Sequence, residues 1–506
     1  MIKNFKWLLL VSLTFVACNT NDDEVIVYDS SDGLPLTAGT ANFSKFVTLG
    51  NSLTAGYSDN ALFIEGQKAS YTNIMAQKFK LVGGGDFKIP FMADNIGGFK
   101  INGTQFAGPR LYSSGGQAPV PVSGTPSTEI LTSIATAGPY NNCGVPGAKS
   151  FHLLSPSYGS AAGISLGTAN PYYVRFAPNA STSVLAYAMS QTPTFFSLWI
   201  GNNDVLGYAT TGGDGTNAIT PSAGAAGVGF DATYDALVNT LTSAGAKGVV
   251  ANIPYVNTVP FFTTVPTNPV PLSAAQVGQL NPLFGAMNSM LAAAGQPARF
   301  QALTAGATNP LLIADEMLAY DATALYTGGF TQAGYPPATA AFLGALYGKA
   351  RHASNATASK DYILLTARSL IGTTQPGYPA TNNTIGVTFP MQDNTTLTAS
   401  EVVLVKTATD AYNAKIKAVA SAKGLAFVDT NALMTKIANG GISANGFTVT
   451  SAFITGGGFS TDGVHPSPRG YALIANKFIE AINTTFGSNL KGVSLANYGI
   501  LFPKAL

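Results

Sequence analysis

Histidine, cysteine and charge are all scarce in this chain, and each scarcity removes a class of function. Of 506 residues only three are histidines, His152, His352 and His465. They form no H-E-x-x-H pair and, with two cysteines, no group at metal-ligand spacing, so no metal is expected. Cys18 and Cys143 cannot supply a disulfide framework. Charged residues are 10% of the chain against a usual quarter, and Gly, Ala, Ser, Thr and Asn are abundant instead. The glycine runs Gly83–Gly85 and Gly456–Gly458 lack the residues that turn such loops into phosphate or dinucleotide cradles, so no cofactor is expected. A surface of hydroxyls and amides suits an exported globular protein or an outer-membrane barrel. Repeated segments of about ten alternating residues, the mark of a barrel, do not run through the chain. Helix-period segments do, and the globular reading follows.

What is present begins with a leader. Met1–Lys6 is basic, Trp7–Val16 is apolar but too short to span a bilayer, and Phe15-Val16-Ala17-Cys18 puts a small residue before a cysteine. This resembles a bacterial lipoprotein cleavage site, which implies export, lipidation of Cys18 and an outer-membrane or cell-surface location. The plain alternative is an ordinary signal peptide (residues 1–17) with an incidental cysteine. Its removal would take Lys3 and Lys6 and leave 24 basic against 24 acidic residues. A neutral chain has no general attraction to nucleic acid or anionic lipid, so the expected membrane link is the lipid anchor alone. Residues 18–40, with the acidic cluster Asp22-Asp23-Glu24, read as a flexible tether. The acidic cluster also resembles a surface-export signal.

From residue 41 apolar runs alternate with helix-period segments. Phe46–Leu49, Thr194–Ile200, Gly248–Ile253 and Leu425–Val428 predict strands; helices are expected after Ser70, after an Asp231 cap, after the Thr398/Glu401 capping box and from Ser467-Pro468. Strands separated by helices imply a parallel sheet covered on both faces. Residues 98–140 and 255–397 break the rhythm as insertions, lids or padding, the second with a helix near Leu280–Leu291. The main domain is set at 41–490, with 491–506 as a C-terminal extension.

Four short motifs carry possible chemistry. In Phe46-Val47-Thr48-Leu49-Gly50-Asn51-Ser52 an apolar run ends at a glycine, and Ser52 follows at a forced turn. Ser52 is there either a nucleophile held at a sheet edge or the cap of the next helix. A serine nucleophile needs an imidazole base and a third group to orient it. Only His465 has a carboxylate three residues before it, Asp462; Lys149 and Lys349 stand there for His152 and His352. Gly201-Asn202-Asn203-Asp204, after the strongest strand, and Asn142-Cys143-Gly144-Val145-Pro146-Gly147, read as a turn, could supply donors to an oxyanion. Gly163-Ile164-Ser165-Leu166-Gly167 matches a nucleophile elbow in letters but lacks the strand before it.

Taken in order, Gly50-Asn51-Ser52-Leu53, Gly147, Gly201-Asn202-Asn203-Asp204 and Asp462-Gly463-Val464-His465-Pro466 resemble the SGNH (GDSL-type) hydrolase family. The resemblance implies a three-layer α/β/α flavodoxin-like core with a large insertion. It further implies a serine esterase or lipase with Ser52, Asp462 and His465 as catalytic residues. The Ser52 N–H, Gly147 and Asn203 would then be the oxyanion donors, and a lipid, glycan or small-molecule ester the substrate. Asn51 stands where the family has Asp. Polysaccharide deacetylation and a non-catalytic surface glycan- or lipid-binding role are the alternatives.

Overall fold

Five consecutive residues with buried side chains or backbone, Phe46–Gly50, form β1, an inner strand of a sheet. The computed structural model describes residues 29–506 and sets four short strands beside β1. They are β2 (Asn142–Gly144), β3 (Phe195–Trp199), β4 (Lys247–Ala251) and β5 (Ala426–Val428). All pair in parallel in the order β5-β4-β3-β1-β2, so the strand order reverses between β1 and β3. The leader, Cys18 and residues 18–28 of the expected tether lie outside the described residues.

Alternation along the strands builds two cores. Phe46, Phe195, Trp199, Val249 and Val428 pack against helices Tyr71–Lys80, Thr430–Ala438 and Pro468–Phe486. Val47, Leu49, Phe196, Leu198 and Val250 face helices Val184–Met189, Phe230–Thr242 and Ala399–Lys423 on the other side. A mixed α/β protein with a central parallel sheet flanked by helices results, because strands apolar on both faces must be covered twice. The helix starts at Ser70, Thr398/Glu401 and Ser467-Pro468 fall where their caps place them. Asp231 is not a cap. The helix begins at Phe230, and the Phe230 and Asp231 N–H groups donate to the carbonyls of Pro221 and Ser222, so no side-chain cap is needed.

Three further readings change. Asn142–Gly144, expected as a turn, is the edge strand β2; at three residues with two small or polar members it shows no apolar run. Residues 29–40 are not free. The N–H groups of Ser31 and Thr40 donate to Asn489 and Phe486 carbonyls, and Thr37 N–H to Asn489 Oδ1 at 2.8 Å, which fastens this segment to the end of the last helix. The C-terminal extension is likewise held, with Arg110 donating to the carbonyls of Pro503 and Lys504 at 2.6 and 3.0 Å. Within 255–397 the helices Ala274–Ala293, Thr323–Gln332 and Pro337–Tyr347 enclose a small core of their own around Phe284, Met287, Tyr326 and Tyr347. No helix among the described residues is long and apolar enough to cross a membrane.

Candidate active site

At the carboxyl end of β1 the chain turns sharply under Trp199. A Cβ on Gly50 would meet Thr54 Oγ1 and come within 2.5 Å of the Trp199 carbonyl oxygen, so only glycine lets β1 run into this turn beside β3. Asn51 then caps the single helical turn Ser52–Ala55: its Oδ1 accepts the Leu53 N–H at 3.0 Å. The capping role that Ser52 could have held therefore falls one residue earlier, and the Ser52 hydroxyl is left for another partner. The other end of the Asn51 amide donates to Asn202 Oδ1 at 3.1 Å. An ionised Asp could accept from Leu53 but could not donate to Asn202. Asn142 Nδ2 ties the same turn to β2 by donating to Thr54 O at 2.9 Å.

The partner arrives from the far end of the chain. Ser52 Oγ lies 2.8 Å from His465 Nε2, and His465 Nδ1 lies 2.8 Å from Asp462 Oδ2. Asp462 is held from several directions. Its Oδ1 accepts from Ser460 Oγ (3.0 Å), Val464 N (2.9 Å) and His465 N (2.8 Å), and its Oδ2 also accepts from Asn60 N (2.9 Å). Burial would raise this carboxyl; the His465 charge and hydrogen bonds from His465 and Val464 outweigh it and bring it down to about 2. A carboxylate can only accept, so Nδ1 carries the imidazole proton and the Nε2 lone pair faces the serine hydroxyl. The Tyr57 ring, 4.6 Å from the imidazole between centroids, closes one side of it.

A second layer fixes the Asp462 loop, and none of it belonged to a recognisable motif. Buried Asp59 accepts from Thr461 N–H and Oγ1 at 3.1 and 2.7 Å, while its own N–H donates to Ser460 Oγ at 3.0 Å. The other oxygen of Asp59 stands 3.8 Å from Arg110 Nη1; both residues are 1% exposed, and neither of those two atoms has a hydrogen-bond partner. Burial, helped by the charge of Asp462, pushes the Asp59 carboxyl up to about 6 against the opposing pull of Thr461 and Arg110. The large insertion contributes as well, through the Phe261 N–H that donates to Gly463 O at 2.9 Å.

The two oxyanion candidates sit on neighbouring loops. Gly147 has φ +81° and is exposed, and its N–H meets no protein acceptor among the described residues. Its loop is held by Asn170 Nδ2 donating to Pro146 O at 2.8 Å. Asn203 Nδ2 spends one of its two N–H groups on Ala148 O at 2.9 Å, which leaves the second. Buried Asp204 fastens the helix after β3 to the loop after β2 by accepting from Ser150 N and Oγ at 2.8 and 2.6 Å. Ser52, Asn203 and His465 line one cleft, about 740 Å³ of empty space with the open solvent at its mouth counted in; Gly147 lies outside its lining.

The remaining candidates do not join them. His152 and His352 each accept a backbone N–H at Nδ1, from Lys149 and Gln301, and burial pushes both down to about 4, so they are neutral structural rings. Ser165 is exposed in a turn with no strand before it. Buried Cys143 in β2 has its thiol pushed far above the usual range by burial. One carboxylate grouping, Glu316, Asp393 and Glu401, brings oxygens within 4.8 Å of one another away from the serine. Burial, then neighbouring carboxylates, raises Asp393 and Glu401 to about 8 and about 7. Comparison of the chain with protein-family models, curated proteins and solved structures found no match.

Proposed function

We propose that this protein is a serine hydrolase of carboxylic esters that works through an acyl-enzyme on Ser52. The carrying observation is the unbroken chain Ser52 Oγ–His465 Nε2 and His465 Nδ1–Asp462 Oδ2, each link 2.8 Å long. In the first step Ser52 Oγ attacks the ester carbonyl carbon while its proton passes to His465 Nε2. Asp462, ionised and fixed by its N–H donors, stabilises the imidazolium. Negative charge on the former carbonyl oxygen is met by the Ser52 N–H, the free Asn203 amide N–H and the Gly147 N–H. His465 returns the proton to the departing alkoxide, which leaves as the alcohol. Water then repeats the sequence with His465 as base, releasing the acid and restoring the serine.

The strand order supports the same reading. Counted along the chain it is 2-1-3-4-5, the order of flavodoxin-like sheets, whose ligands bind outside the carboxyl ends of the strands at the reversal of order. Ser52 follows β1 and Asn203 follows β3, the two strands at that reversal. An SGNH-type core is therefore the fold we propose, with Asn51 in place of Asp used to bond Asn202. Export and lipid anchoring through Cys18 belong to this proposal and rest on the leader sequence. Ser52→Ala should lower turnover of a short p-nitrophenyl ester on the order of 10⁶-fold; near-native turnover by that variant would end the assignment.

A further inference from the structure

The cleft beside Ser52 is open at the serine and apolar along its inner walls. It enters the molecule between the carboxyl ends of β3, β4 and β5 and the helices Thr430–Ala438 and Pro468–Phe486. Its walls are Trp199, Ile253, Leu433, Met434, Phe459 and Ile474; all but Met434 are buried. No Asp, Glu, Lys or Arg side chain lines it. Free amide N–H groups lie at the Ser52 end of the cleft, on Asn202 and Asn203, and the polar groups farther along the walls are already used. Trp199 Nε1 donates to Asn252 O at 3.0 Å, Thr430 Oγ1 donates to the same carbonyl, and the Tyr255 hydroxyl donates to Asp410. A sugar ring placed there would find few free partners for its hydroxyls, and each unpaired one would be costly to bury. An alkyl chain needs none.

Building on the Ser52 reading, we infer that this cleft holds a straight aliphatic acyl group of about four carbons or more, and so selects acyl-chain esters over acetyl groups on polysaccharide. Assignment to the acyl side rather than the alcohol follows from the two-step chemistry. The acyl group stays covalently on Ser52 Oγ through both steps and so can remain packed against the apolar inner walls. The alcohol must leave for solvent before water enters, and the exposed side at Gly147 is open to it. What favours an alkyl chain there is the lining: apolar side chains continue from Ser52 inward past Trp199 and Ile253 to Leu433 and Ile474. The apolar wall comes from the sheet ends and the two last helices; from the large insertion only its first residues, Tyr255, Val256 and Val259, reach the cleft.

The test is the chain-length dependence of kcat/KM for p-nitrophenyl esters from acetate to dodecanoate, beside alkyl acetates of lengthening alcohol and acetylated xylan. With each added methylene buried, the acyl series should rise about fourfold per carbon, on the order of a hundredfold from acetate to hexanoate. The alkyl acetates should show no such rise. Filling the cleft by Met434→Trp, or by Leu206→Trp at another lining residue, should lower the hexanoate-to-acetate ratio about tenfold. A poorly folded variant lowers both rates and leaves that ratio unmoved, and the wild-type series decides even then. Acetate as the best acyl substrate, a rise that follows the alcohol, or acetylated xylan turned over faster than the hexanoate would each overturn the inference. Failure of the underlying reading looks different: hydrolysis would be absent, or would survive Ser52→Ala.

Discussion

Replacing Asp462 by Asn tests catalysis and stability through one atom. The side chain keeps its shape, but an amide nitrogen must now sit among groups that all donate. If it faces His465 Nδ1, that nitrogen must give up its proton and accept; Nε2 then becomes the N–H and can no longer take the Ser52 proton. A wrong tautomer in such a triad costs on the order of 10⁴ in kcat. If the amide is flipped, it faces the N–H groups of Val464 and His465. Stability suffers either way. The carboxyl titrates at about 2 in the folded chain against an ordinary 3.8, which corresponds to about 2 kcal/mol of stability at neutral pH. Because the folded value is the depressed one, this stabilisation is complete above about pH 4 and is lost as the pH falls through 4 toward 2. Urea unfolding of wild type and Asp462→Asn should therefore differ by about 2 kcal/mol at pH 7 and converge near pH 2, alongside the drop in ester turnover. A variant within tenfold of wild-type kcat, or a stability gap that persists unchanged at pH 2, would refute the reasoning.

Two further outcomes follow from the same geometry. Asn203→Ala should lower kcat for a p-nitrophenyl ester about 10²–10³-fold with KM little changed, because the amide acts on charge that appears only in the transition state; a pure KM effect would place Asn203 in ground-state binding instead. Arg110→Met should cost about 3–5 kcal/mol in urea unfolding at pH 8, since it leaves the buried Asp59 carboxylate without its countercharge. The charge-dependent part of that cost should shrink as the pH falls from 8 toward 6, because Asp59, already raised to about 6 with Arg110 present, titrates higher still without it and takes up a proton. An equal loss at pH 5 and pH 8 would show that packing, not the charge pair, holds this corner.

What the sequence disclosed and what it hid differ by distance along the chain. The Asp462/His465 pair was legible because its parts are three residues apart in one turn, so spacing alone brings the carboxylate to Nδ1. Strands β1, β3, β4 and β5 were legible as apolar runs, since a sheet covered on both faces leaves no polar side to its inner strands. The edge strand β2 was not: three residues carry no periodicity, and its role rests on Asn142 reaching Thr54 and Thr72. Nor could spacing show that Asn51 is bonded to Asn202, or that Asp59 binds Thr461 402 residues away. Asp59 belongs to no motif, and the apolar run Ala61–Ile64 beside it says nothing of its partners. Its signal is its surroundings, burial beside an arginine, and those exist only once the two ends of the chain meet. The docking of residues 29–40 on Asn489 was hidden for the same reason.

Activation of the Ser52 nucleophile by His465 is tested most directly by treating the protein with a short-chain fluorophosphonate and mapping the adduct by peptide mass spectrometry. One phosphonyl group should appear, on the peptide that carries Ser52, and labelling should fall sharply in His465→Ala while a denatured control takes up none. An unlabelled protein, or an adduct on Ser165 with Ser52 untouched, would contradict the account.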